Sequence, residues 1–218
     1  PLWSRGLGDV YKRQLIYNAS KKKKPIVLST GMSYEREIRH ALDFMHHLKV
    51  PFGVLHCISA YPSMISDLNI SYIPRLKKMS NSVVGFSSHT TSFAPILASI
   101  GAGAQIIEFH LTRSHSQRGT DHTSSIEINQ APYVVSLCRE AYKSIGSPEP
   151  RSPRQGEVLN REILGKSLCY SKNLSRGHSI SKQDLILACP GSGLPSSNNS
   201  LVVGKTLQED VCRLQMVR

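Results

Sequence analysis

A chain of 218 residues with 39% hydrophobic and 19% charged side chains has the composition of a globular protein, long enough for one large domain or a medium domain with a small companion. It holds no apolar run near the roughly 20 residues that a membrane-spanning helix needs, so no membrane segment is expected. The net charge of +12 raises the question of a polyanionic partner. Apart from Lys21 to Lys24, however, the basic residues are dispersed and no aromatic residues interleave with them, so no nucleic-acid partner is expected.

The five cysteines, Cys57, Cys138, Cys169, Cys189 and Cys212, are odd in number, far apart and free of any Cys-x-x-Cys pair. That pattern argues against a disulfide framework and a structural zinc site, and fits a reducing cytoplasm. Residues 4–14, Ser-Arg-Gly-Leu-Gly-Asp-Val-Tyr-Lys-Arg-Gln, resemble the in-frame translation of the transposase adaptor used to make shotgun sequencing libraries. Residues 1–14 are therefore expected to be a cloning scar outside the fold. Natural sequence would start near Leu15, and whatever the parent gene keeps upstream would be missing.

From Pro25 onward, short apolar runs alternate with longer amphipathic stretches, the signature of βα units around a parallel sheet. Ile26 to Ser29 reads as a buried strand, followed by a tight loop at Thr30, Gly31 and Met32. Ser33 is expected to cap a helix whose Glu35 and Glu37 suit its positive end, with Ile38, Ala41, Leu42 and Met45 at helical spacing. The second strand is Gly53 to Cys57, with a loop through Ser59, Tyr61 and Pro62 and a helix near Ile73 to Lys78. Val83 to Phe86 is the third strand, then Ser87, Ser88 and His89 in a loop, and a helix over Pro95 to Ile100 that stops at Gly101 to Gly103. Gln105 to Phe109 is the fourth, ending on His110, with a long polar loop to Ser125 and a helix from about Asn129 to Ile145. Four such units make half of an eight-stranded barrel or a small open α/β sheet.

Three prolines between Gly146 and Gln155 mark a linker, placed over residues 147–163. Residues 164–218, with short apolar pieces separated by Gly, Ser, Asn and Pro, suggest a small, mostly β module.

Reactive groups of parallel α/β folds gather at the C-terminal ends of the strands. Ser29 and Thr30, Ser59 and Tyr61, Ser87 and His89, and Glu108 and His110 occupy such ends, with Asp121 and His122 in the loop beyond. His89 and His110 end consecutive strands, so their rings can meet over one mouth. Two imidazoles without thiolates suit a divalent ion that keeps positions free for water and substrate oxygens, and equally suit ordinary hydrogen-bonded histidines. The serines read as phosphate or carboxylate donors or as plain capping residues. Glu108 reads as an acid or base, or as a group that orients a ligand histidine.

Five motifs in order then resemble the sialic acid synthase family. They are Lys24-Pro-Ile-Val-Leu-Ser-Thr-Gly-Met32, Leu55-His-Cys-Ile-Ser-Ala-Tyr-Pro62, Gly85-Phe-Ser-Ser-His89, Ile107-Glu-Phe-His110, and Gly119-Thr-Asp-His122 followed by Ser125-Ile-Glu127. The resemblance implies the C-terminal half of a (β/α)8 TIM barrel, residues 15–146, followed by an antifreeze-like domain at 164–218. It implies a manganese site at His89 and His110, with magnesium as the alternative ion. Ser59 and Ser87 would contact the phosphate of phosphoenolpyruvate; Ser29, from its place at a strand end, is expected to be a further substrate contact. Tyr61 and Asp121 would contact an N-acylated amino sugar, and Glu108 would stand beside the metal. The implied product is a sialic, legionaminic or pseudaminic acid, and the implied assembly a domain-swapped homodimer.

The sequence departs from the family's usual pattern at three places. Phe109 stands where Arg or Lys is usual, and Ser88 where Asp is frequent. Ala188-Cys189-Pro190-Gly191 replaces the Lys-Arg-Pro-Gly of many bacterial members, whose arginine reaches the sugar's acyl group. The family's upstream half holds further phosphoenolpyruvate contacts, so the chain as given is expected to be inactive. A non-catalytic carbohydrate-binding protein is the competing reading.

Overall fold

The structure, a computed structural model, describes residues 10–217, with side chains from residue 13. The chain divides between Ser147 and Pro148 into two compact units. The first opens with α1 (Val10–Ser20), so residues 10–14 of the expected scar lie in a helix, while residues 4–9 fall outside the described residues.

Four βα units follow. They comprise β1 (Ile26–Ser29), α2 (Glu35–Leu48), β2 (Phe52–Cys57), α3 (Tyr72–Ser80), β3 (Val83–Ser88), α4 (Ala94–Gly101), β4 (Ile106–Phe109), and, after the strand pair β5 (Leu111–Thr112) and β6 (Ile126–Glu127), α5 (Ala131–Ile145). The first four strands form one sheet in the order β1-β2-β3-β4, parallel throughout.

Helix α2 shows how the local sequence sets an element. Glu35 and Glu37 lie in its first turn, where the helix dipole favours negative charge. The Glu37 carboxylate accepts a 2.7 Å bond from the Tyr34 amide. Tyr34 is thus the N-cap, not Ser33, whose hydroxyl turns back to the Gly31 carbonyl at 3.5 Å. Lys49, with φ at 53°, ends the helix in the left-handed region. Glu35 also receives Arg39 and Arg75 at 2.7 Å each; these two guanidiniums lower its pKa to about 2.

The core lies between the sheet and its helices, where Ile38 and Leu42 of α2, Ile73 and Leu76 of α3 and Ile96 of α4 meet Val54, Val84 and Phe86. Each such side chain contributes roughly 1.5–3 kcal/mol relative to leaving it in water. The central strands β2 and β3 are buried almost end to end. The edge strands β1 and β4 are only partly covered. Strand β3 runs two residues further than expected, so Ser87 and Ser88 belong to the strand and not to a loop.

The second unit contains α6 (Gln155–Leu164), β7 (Ser167–Tyr170), β8 (Leu185–Ala188) and α7 (Asn199–Val202). Most of the expected linker at 147–163 is therefore helical. Among the described residues regular pairing here is limited to the antiparallel β7 and β8, supplemented by isolated bridges of Cys169 with Met216, Leu174 with Val211 and Ser179 with Thr206. The module is thus built more from turns than from strands, because its frequent Gly, Ser, Asn and Pro stop the other pairings at single bridges. Its core is Leu168, Tyr170, Leu174, Ile180, Val202, Leu207, Val211 and Val217. Beside it Asp184, its side chain only 3% exposed, accepts from His178 at 2.9 Å, the Ser181 amide at 2.9 Å and the Ser181 hydroxyl at 2.7 Å, and pairs with Lys172 at 3.0 Å. Among the described residues no helix is long and apolar enough to cross a membrane.

Candidate active site

Register decides which side chains share the face of the sheet turned away from the helices. Cys57 pairs with Ser87 and Ser87 with Glu108, so these three form one row across β2, β3 and β4. Because side chains alternate along a strand, the residues two further on, Ser59, His89 and His110, lead off the same strand ends as the next row. Ser29 pairs with Leu55 and Leu55 with Gly85, one row deeper than Ser87. It is therefore set apart from the other expected site residues. Thr30 is occupied structurally, its hydroxyl donating to the Leu55 carbonyl at 2.9 Å.

The two rows are in contact with their surroundings in a definite way. Ser87 Oγ donates to Glu108 Oε2 at 2.6 Å. The rings of His89 and His110 stand 5.1 Å apart, and Tyr61 lies over both, 4.3 Å from His89 and 6.1 Å from His110. Cys57 Sγ is 3.9 Å from Ser59 Oγ, and a Cβ at Gly31 would collide with that same hydroxyl. Glycine at 31 thus lets the β1 loop approach the serine. Burial pushes the Cys57 thiol up, which keeps it neutral among these groups.

His89 is held from two sides. Its Nδ1 lies 2.8 Å from the Ile58 carbonyl, and the Ser63 amide donates back to the His89 carbonyl at 3.0 Å. A carbonyl can only accept, so Nδ1 carries the proton and Nε2 presents a lone pair. Burial lowers the pKa of this ring and the neighbouring His110 adds to the effect, against the Ile58 bond and the charges of Glu108 and Asp121. A neutral imidazole with its second nitrogen fixed by a carbonyl is the form that ligates a metal.

Asp121 belongs to a separately braced loop. Its carbonyl accepts from Ser125 Oγ at 2.6 Å and Ser124 Oγ at 3.1 Å, while the next residue, His122, meets Thr112 Oγ1 at 2.8 Å. The residue types signalled His89, His110 and Asp121. They did not signal the Ile58 carbonyl, the Ser63 amide or Thr112, since a backbone group carries no residue label and Thr112 has no motif of its own.

The donor set fits an open divalent site and not a closed one. Among the described residues no group of three His, Cys, Asp or Glu side chains gathers around a common point, so two imidazoles would leave several positions to water or substrate oxygens. Ser88 is the odd member. Only 1% exposed, it points to the helix side of β3, and its hydroxyl has no partner among the described residues.

A parallel sheet with its polar rows at the C-terminal strand ends carries its candidate site where α/β folds hold their ligands, and comparison with known proteins narrows the class. The chain belongs to the NeuB family, whose model matches residues 6–150. It is 32% identical over 205 residues to the N,N'-diacetyllegionaminic acid synthase of Legionella pneumophila, covering 92% of this chain and 57% of that protein. With the human N-acetylneuraminate-9-phosphate synthase it shares 29% identity, covering 96% of this chain and 60% of that one. The chain therefore spans less than two thirds of the length of these relatives. Among solved structures, the N-acetylneuraminic acid (sialic acid) synthetase of Leptospira borgpetersenii, in complex with citrate, superposes with a TM-score of 0.63 at 30% identity, covering 70% of this chain and 54% of that chain. The first unit is accordingly a partial α/β barrel of the kind found in sialic acid-type synthases.

Proposed function

We propose that this chain is part of a synthase that condenses phosphoenolpyruvate with an N-acylated amino sugar, giving a nine-carbon sugar acid and phosphate. The observation that carries this reading is the pair of rows, Cys57, Ser87 and Glu108 beneath Ser59, His89 and His110, with Tyr61 over both imidazoles.

In this reading the Ser59 hydroxyl donates to the phosphate of phosphoenolpyruvate, the Ser87 hydroxyl does so by turning from Glu108 to the phosphate when the substrate is bound, and Tyr61 and Asp121 hold the sugar. A divalent cation, manganese or magnesium, held by Nε2 of His89 and a ring nitrogen of His110, would polarise the sugar's aldehyde oxygen. C3 of the enol attacks the aldehyde carbon, water adds at C2 of the former enol, and the C–O bond to phosphate breaks. Glu108, bonded to Ser87, is positioned to take the proton that the water gives up. The relatives include legionaminic, pseudaminic and N-acetylneuraminate-9-phosphate synthases, so the reading extends to this class of product and leaves the individual sugar open.

The second unit is read as an antifreeze-like domain that caps the barrel mouth of a partner in a cytoplasmic homodimer. Ala188 and Cys189, where many bacterial members carry Lys and Arg, deprive it of the cation that would reach the acyl group.

Calorimetric titration of manganese in the presence of phosphoenolpyruvate tests the reading on the chain itself. Uptake by the unmutated chain that falls at least about tenfold in both His89→Ala and His110→Ala is expected, in line with the loss of a metal ligand. Unchanged uptake in both variants, or none in the unmutated chain, would count against it.

A further inference from the structure

Parallel sheets occur almost only with both faces covered, yet the helices of the first unit cover one face of its sheet. Val54 and Val84 join the core on that side. Their neighbours along the strands, Gly53, Leu55, Val83 and Gly85, point to the other, and Val27 pairs with Gly53 in the same row as Val83. On this second face Leu55 leans over Gly85 and is buried, whereas Val27 and Val83 are left 49% and 42% exposed. Beneath the polar rows the sheet thus carries an apolar floor that half faces solvent.

The sheet is also open at both sides. Among the described residues β1 pairs with β2 alone and β4 with β3 alone. The amides of Ile26 and Thr30 donate to the Pro51 and Leu55 carbonyls, and that of Gln105 to the Val84 carbonyl. Backbone groups alternate from side to side along a strand. The N–H and C=O groups of Val27 and Ser29 on one edge, and of Ile106 and Glu108 on the other, therefore point away from the sheet. Strand β4 is short of cover on its helix side too, where Ile107 and Phe109 line an open groove of about 500 Å³ with Val135 and Cys138.

We propose that a second copy of this chain occupies both edges, so that two first units join as one eight-stranded parallel ring. The edges match, for both have four residues and run in the same direction. A two-fold axis along the strands sets β4 of each copy beside β1 of the other, in the parallel sense that the sheet already uses. Each join pairs the outward backbone groups of one edge with those of the other, and closure leaves no edge over. The same rotation turns the apolar floors of the two copies toward each other, in an interior that eight strands make just wide enough for side chains to fill. A single helix or peptide laid on the open face would cover the valines and leave the edges unpaired.

Sedimentation equilibrium on the full chain measures the association, and hydrogen exchange locates it. We expect a mass that rises with concentration to twice 24.1 kDa and no further, with the amides of Val27, Ser29, Ile106 and Glu108 slowing in step. Val27→Lys and Val83→Lys each place a charge that stays in water on a single chain and is buried in the ring. Each should raise the dissociation constant at least about tenfold and restore fast exchange at the edge amides. Ile163→Lys, on an exposed part of α6, should change neither. Should a valine variant fail to fold by circular dichroism, the exchange pattern of the unmutated chain decides alone. A chain monomeric up to its solubility limit would overturn the proposal, as would a dimer whose edge amides exchange freely. Loss of the dimer in Ile163→Lys but not in the valine variants would move the contact to the second unit and overturn it. Growth past the dimer would do so too, because the edges would then join without closing.

Discussion

Ser87 Oγ donates a 2.6 Å hydrogen bond to Oε2 of Glu108, its register partner on the neighbouring parallel strand. The pair couples the residue assigned to the phosphate with the residue assigned to the proton. Replacing Ser87 by Ala should weaken phosphoenolpyruvate binding by about tenfold, the size of one hydrogen bond to a charged group. Stability should change by no more than about 1 kcal/mol, because Glu108 is exposed and water can replace the hydroxyl. Calorimetry and urea denaturation measure the two effects separately, and equal phosphoenolpyruvate affinity in both proteins would remove Ser87 from the site.

Asp184 makes the second unit acid-sensitive. The His178 ring, the Ser181 amide and hydroxyl, and Lys172 together hold its carboxyl well below the usual carboxylate range. A group whose native pKa is depressed contributes stability above its unfolded pKa, near 4 for Asp, and that contribution is lost as the pH falls from there toward the native value. The melting temperature should thus drop as the pH is lowered from about 5 to about 3. Asp184→Asn should melt lower at pH 7 and show a shallower drop. Parallel pH profiles for the two proteins would show that the cluster adds nothing.

Gly85 occupies the middle of β3, where the sheet has no room for a side chain. A Cβ there would press on the Ile106 carbonyl and stand 2.5 Å from Leu55 Cδ2 and 2.8 Å from Ile106 Cβ. Gly85→Ala must spread β2, β3 and β4, and overpacking of this kind costs about 1–3 kcal/mol. Urea denaturation should show the loss, with the row of Ser87 and Glu108 disturbed along with it. An unchanged midpoint would mean that the strands yield freely.

Much of the first unit was legible because its signals are local. Apolar runs of four to six residues followed by helical spacing are enough to place β1 through β4 within a residue or two. Where the reading slipped, a longer-range effect had intervened. Ser87 and Ser88 look like loop residues by type, but pairing with Glu108 and Phe109 draws them into β3. Helix α6 was hidden because three prolines and several charges precede it and read as a linker, while its own apolar residues, Val158, Leu159 and Ile163, remain largely exposed. The second unit looked mostly β because short apolar pieces resemble strands, whereas only β7 and β8 find a continuous partner.

The sequence by itself determined the parallel α/β class, the order of the units and which residue types stand at the strand ends, since each depends on patterns within a few residues. Only the tertiary structure decided that Ser87 meets Glu108, that Ser29 lies a row too deep, and that the Ile58 carbonyl fixes the proton of His89 on Nδ1. Those relations depend on inter-strand register and on backbone groups, and a one-residue slip in register would have sent every one of these side chains to the opposite face.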